Sequence, residues 1–160
     1  MNAKNEPKIV HATCVVERSL SKPPSAVFAA LSQPEKVRRW MTGDQSALLE
    51  FQFEFREGGE QVLKYRMGAE TPIAGALITN EGRFQHIVPG ERIVTVSTMK
   101  MERRVFSASQ VTFELLPEGD GTRLVITHQG AFFEGSDGPA RRERGWNALA
   151  DHLTAVVAAD

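Results

Sequence analysis

The segment from Gly138 to Ala159 limits what this chain can fold into more than any other. After Pro139 it reads as one amphipathic helix, with Trp146, Leu149, Leu153 and Val156 or Val157 recurring at three- and four-residue steps while Arg141, Arg142, Asn147, Asp151 and His152 fall elsewhere. At about 1.5 Å rise per residue it is roughly 30 Å long, about the length of a nine- or ten-residue strand. A rod of that length with one dry face needs a long apolar partner, and the rest of the chain is suited to supply a sheet. Whether helix and sheet close fully or leave a hole between them is then the functional question.

The strands are legible in order. Ile9 to Leu20 is rich in β-branched residues and predicts a first strand, which Lys22-Pro23-Pro24-Ser25 stops. Proline is tolerated at a first helical turn, so a short helix follows with Val27, Phe28 and Leu31 on one side, and Pro34 restarts a second from Glu35 to Trp40. Between Ala47 and Arg56, Leu49, Phe51, Phe53 and Phe55 alternate with Glu50, Gln52, Glu54 and Arg56, a half-buried strand. Gly58-Gly59 turns it into a return strand with Gln61, Leu63, Tyr65 and Met67 on one face. Ile73 to Val88 predicts a strand with a bulge or turn near Asn80-Glu81-Gly82, and Pro89-Gly90 turns into Ile93 to Met99. Ser107 to Leu116 and Thr122 to Gln129 form a last hairpin with Val111, Phe113, Leu115, Leu124, Ile126 and His128 inward, and Gly130 to Gly138 is a loop exposing Phe132 and Phe133. Strand, two short helices, about six antiparallel strands and a long helix define an α+β class with the sheet curled around its helical partner.

With 160 residues, 41% hydrophobic and 24% charged, the chain is expected to be a single domain over residues 1–160, with 1–8 a flexible tail. A net charge of -1 without a basic stripe gives no nucleic-acid footprint. Met1 to Lys8 lacks the apolar core of a signal peptide and no run matches a membrane span, so a cytoplasmic protein without membrane insertion is expected. Cys14 has no partner for a disulfide and reads as a buried structural thiol. His11, His86, His128 and His152 are scattered without an i, i+4 pair, so no metal is expected; no phosphate loop is present, and no cofactor is expected.

Val16-Glu17-Arg18-Ser19-Leu20, then Pro23-Pro24-Ser25-Ala26-Val27-Phe28-Ala29-Ala30-Leu31 and Pro34-Glu35-Lys36-Val37-Arg38-Arg39-Trp40, resemble the start of the activator of heat-shock-protein-90 ATPase homologue family, within the START-like (SRPBCC) superfamily. Gly58-Gly59, Ile87-Val88-Pro89-Gly90-Glu91-Arg92-Ile93-Val94, Gly121-Thr122-Arg123-Leu124 with Thr127-His128, and Gly145-Trp146 continue the match in order. The resemblance implies a helix-grip (Bet v 1-like) fold, in which a curved antiparallel sheet of about seven strands wraps the C-terminal helix and often leaves an elongated cavity. It implies less about activity, because the superfamily includes lipid carriers, hormone receptors and polyketide cyclases, and fold does not settle function.

Three readings follow. In the one these features support best, Phe51, Phe53, Leu63, Tyr65, Phe84, Phe113, His128, Trp146, Leu149 and Leu153 surround a small hydrophobic or lipid-like molecule, non-catalytically, with His128 or Tyr65 orienting it. The same residues equally describe a packed core in which His128 bonds to backbone or water and Tyr65 reaches the rim. A cyclase- or aromatase-like enzyme would instead use His128 as acid or base, with or without Tyr65, and requires a second ionisable group within about 3 Å of His128 or of one bridging water. An interaction module, binding a chaperone or a second copy as a homodimer, would show a closed interior and an apolar patch around Phe132 and Phe133. Arg83 and Glu114 read as solvent-facing.

Overall fold

The computed structural model describes residues 5–42 and 46–160. Strand β1 (Val10–Leu20) is followed by helices α1 (Pro24–Ser32) and α2 (Pro34–Met41), then by β2 (Ser46–Phe53), β3 (Glu60–Met67), β4 (Leu77–Val88), β5 (Arg92–Met101), β6 (Arg104–Glu118), β7 (Gly121–Phe132) and helix α3 (Pro139–Ala159). Among the described residues the strands form one seven-stranded antiparallel sheet in the order β1-β7-β6-β5-β4-β3-β2. Because β1 pairs with β7, the two strands on either side of the short helices are the opposite edges of the sheet, and α1 and α2 connect one edge to the other.

Local chemistry explains the interruptions. Pro24 opens α1, where its missing N–H costs nothing, and the Pro23 carbonyl accepts from the Ala26 and Val27 amides at 3.0 and 3.2 Å. Gln33 ends α1 in an extended conformation and Pro34 starts α2 at once. The Trp40 indole, 3% exposed, donates from Nε1 to the Ala30 carbonyl at 2.9 Å and holds the two helices together. At the other end Gly138, at φ +83°, turns the chain into α3, and Pro139 occupies the first helical position.

One core unites the three layers. Val27, Ala30, Leu31, Val37 and Trp40 of the short helices meet Phe84, Ile93, Phe113, Leu115, Leu124 and Ile126 of the sheet, and Ala150, Leu153, Val156 and Val157 of α3 close it. The buried α3 residues of this core come from its C-terminal half. Trp146 and Leu149, nearer its start, are only partly buried. The helix is seated at one end and stands off the sheet at the other.

Several expectations are corrected. β4 begins at Leu77 and runs unbroken through Asn80-Glu81-Gly82, and its irregularity falls between Phe84 and His86. Gly82 makes no turn: a Cβ there would lie 2.4 Å from the Val96 carbonyl oxygen and 2.7 Å from Ser97 Cβ, so its glycine serves close approach of β5. β2 ends at Phe53, and a register shift between Leu48 and Glu50 leaves Leu49 54% exposed instead of facing inward with Phe51 and Phe53. β7 continues through Phe132, which is 3% exposed, and Phe133 is half-buried, so the expected aromatic patch is absent. Cys14 is half-buried rather than enclosed. Glu114 is exposed, as alternation predicts, and Arg83 is exposed as well. The predicted tail, 1–8, lies partly outside the described residues.

Candidate functional site

Where α3 stands off, a cavity of about 500 Å³ opens between it, the α1–α2 side and the concave face of β2 to β7. Phe53, Leu63, Tyr65 and Phe84 line it from the sheet's far half, and Phe113, His128, Trp146 and Leu149 from the near half and the helix. Two expected members stand apart. Phe51 stacks on Phe53 at 5.9 Å between ring centroids and lies under the Arg38 guanidinium at 5.3 Å, away from the lining. Leu153 is 0% exposed and packed in the core. The volume falls within the range of small-molecule sites.

Much of the wall is aromatic and interlocked edge to face: Phe53 on Phe84 at 5.2 Å, Trp40 on Phe113 at 6.4 Å and Phe113 on Trp146 at 5.9 Å. Such pairs fix ring positions while leaving ring faces and edges toward the cavity.

One end of the cavity holds a charge cluster that residue type had concealed. Arg142, assigned above to the polar side of the helix, is 8% exposed. Its Nε and Nη2 donate to the two carboxylate oxygens of Asp137 at 2.8 and 2.9 Å. Nη2 also donates to Ser107 Oγ at 2.9 Å, while Nη1 donates to His128 Nε2 at 3.2 Å and to Ser109 Oγ at 3.4 Å. All five N–H groups of the guanidinium are thereby engaged. Its carbon lies 5.1 Å from the Phe132 ring centroid, which explains why Phe132 is drawn under it. Gly130 permits this: a Cβ there would come within 2.8 Å of His128 Cε1 and 2.9 Å of the Phe132 ring. The signal was present in the sequence, since Arg142 precedes Trp146 by one helical turn on the same stripe as Leu149 and Leu153.

The cluster decides what His128 can do. Burial, reinforced by the Arg142 charge, lowers its pKa from 6.5 to about 4, and its Nε2 lone pair already accepts from Arg142. His128 is therefore neutral near pH 7, with Nδ1 carrying the proton. The ionisable group beside it is a guanidinium, which holds its proton permanently and cannot complete an acid-base pair. Between pH 6.5 and about 4 the unfolded chain binds a proton at this residue that the folded chain does not, so stability rises with pH there. The contribution of neutral His128 is full above about pH 6.5 and is lost as pH falls toward 4. Urea denaturation from pH 7.5 to 4.5 is expected to show a steeper loss for the native chain than for His128→Gln, whose amide oxygen still accepts from Arg142. Parallel curves would rule out His128 as the titrating group.

Burial raises the Tyr65 pKa, so its phenol stays protonated on the cavity wall. Cys14, the register partner of His128, has its thiol pushed up by burial and next by the Glu143 charge, and it remains a thiol at neutral pH.

A curved antiparallel sheet gripping a C-terminal helix, with a lined cavity under the helix's first turns, defines a START-like helix-grip domain. The chain belongs to the activator of Hsp90 ATPase homolog 1-like protein family, whose model matches residues 21–158. It is similar to the Mll3558 protein from Rhizobium loti, at 40% identity and TM-score 0.82 over 92% of this chain and 98% of that one. It is also similar to a putative uncharacterized protein from Rhizobium leguminosarum, at 32% identity and TM-score 0.84 over 95% and 97% of the two chains. An AHSA1-like protein from Aeromonas hydrophila, at 19% identity and TM-score 0.68 over 92% and 93%, shares the fold. No curated protein matches the sequence. Among the described residues no helix is long and apolar enough to cross a membrane.

Proposed function

We propose that the chain holds a small hydrophobic molecule, without transforming it, in the cavity beneath the N-terminal half of α3. The observation that carries this reading is the 500 Å³ space walled by interlocked aromatic rings, in a fold whose helix is otherwise seated on a tight core. A guest burying about 300 Å² of apolar surface gains roughly 7 kcal/mol, so micromolar affinity, about 8 kcal/mol, asks for polar contacts as well. The cyclase-like alternative is less well supported, because the partner of His128 Nε2 is a guanidinium, which exchanges no proton near neutral pH. A co-chaperone-like module is compatible with the family, yet of the surface patch expected for it Phe132 is buried and Phe133 only half-buried.

Nile red titrated into delipidated protein should show a saturable blue shift at micromolar concentration. Native mass spectrometry of freshly purified chain should show a small-molecule adduct. An unshifted dye spectrum together with a single unadorned mass would overturn the proposal.

A further inference from the structure

We propose that the guest is uncharged and bears a hydroxyl or carbonyl oxygen received by two neighbouring members of a diagonal of three neutral side chains, Tyr65, Asn80 and Ser97; this rests on the binding reading above. In the sheet register Tyr65 faces Ile78 and Leu63 faces Asn80, while Asn80 faces Met99 and Gly82 faces Ser97. Tyr65 is therefore diagonal to Asn80, and Asn80 to Ser97, on the same concave surface. Such diagonals place Cβ atoms about 7–8 Å apart or somewhat less, so one oxygen between them is within reach of two long side chains. All three residues line the cavity. Among the described residues no side-chain hydrogen bond engages any of them, and none of their polar atoms is buried without a partner, so each keeps some accessible surface.

The charged groups nearby are in the opposite condition. Arg142 has spent all five donors, the Asp137 oxygens are both taken by it, and His128 Nε2 is occupied. A carboxylate entering the cavity would lose its hydration and find no free buried cation, a cost of several kcal/mol in apolar surroundings. Arg141 and His152 also border the cavity but are exposed, so they can meet an anion only at its water-screened rim. An alcohol, phenol or ketone loses little hydration and gains donors and acceptors that have no other partner. The aromatic wall favours a ring-bearing body behind that oxygen.

Three fluorescent probes with one apolar body separate the possibilities: 1-butylpyrene, 1-pyrenebutanol and 1-pyrenebutanoate, titrated at pH 7.5. The alcohol is expected to bind about tenfold more tightly than the hydrocarbon, in keeping with one or two net hydrogen bonds, and more tightly than the acid. Tyr65→Phe combined with Asn80→Leu should abolish the alcohol's advantage, read as the ratio of the alcohol and 1-butylpyrene affinities measured on that same variant. Equal binding of alcohol and hydrocarbon, or an advantage that survives the double variant, overturns this inference while the binding reading stands. Preference for the acid, lost on Arg141→Gln, would assign an anionic guest held at the rim instead. Failure of all three probes to bind overturns both.

Discussion

Replacing Arg142 with methionine is expected to lower the free energy of unfolding by about 3–5 kcal/mol, a large share of the 5–15 kcal/mol typical of a domain. The size follows from what the guanidinium leaves behind. Asp137 would keep a carboxylate in a partly buried site with neither of its two charged hydrogen bonds, and Ser107, Ser109 and His128 would each lose a partner at once. Methionine fills a similar volume, so the loss reports charge and hydrogen bonding rather than a void. Arg142→Lys should fall between, since an ammonium keeps one contact to Asp137 but not the two-pronged one. Combining Arg142→Met with Asp137→Leu should recover much of the deficit, because removing both charges leaves no buried ion without a counter-ion. Guanidinium denaturation of the four proteins forms the test. A deficit under about 1 kcal/mol for Arg142→Met would mean that water replaces the guanidinium freely and that this end of the cavity is open to solvent.

The same cluster shows where sequence reasoning reached and where it stopped. Element order, the inward face of β7 and the orientation of Tyr65 followed from alternation, because a strand has only two faces and one register slip would expose every apolar residue. The family resemblance carried the helix-grip architecture, while the pairing of β1 with β7 came from the structure. The burial of Arg142 is not legible from residue type, because a charged side chain ordinarily marks an exposed position. Its four-residue step to Trp146 placed it on the dry stripe, and a buried arginine is admissible once Asp137 is found to face it. Gly82 was misread as a break for a related reason: glycine marks either a turn or a close approach, and only the position of Ser97 on β5 distinguishes them. Leu49 was placed inward because a bulge has no sequence signature in an otherwise regular alternation. The cavity itself was the least legible feature. Phe53, Phe84 and Trp146 have the same composition whether they interlock across a void or fill a core, and the difference lies in how far α3 stands from the sheet.

That difference gives the second prediction, in which one substitution made at two positions on α3 should have opposite consequences. Leu149 and Leu153 lie one helical turn apart on the same stripe, but Leu149 lines the cavity and Leu153, 0% exposed, is enclosed by packed atoms. Tryptophan at Leu149 would extend its ring system into open space. Stability should hold or rise by about 1–2 kcal/mol as the indole buries apolar surface, while affinity for Nile red falls at least tenfold because the guest's volume is taken. Tryptophan at Leu153 has no such space and must displace the packed core around it, at a cost of about 1–3 kcal/mol or more. Thermal denaturation and dye titration on both variants separate the cases. If Leu149→Trp destabilises as much as Leu153→Trp, α3 is in contact with the sheet along its whole length and no guest can enter beneath it. If it is tolerated and dye still binds unchanged, the dye sits elsewhere on the surface, and the aromatic wall under the helix is structural packing.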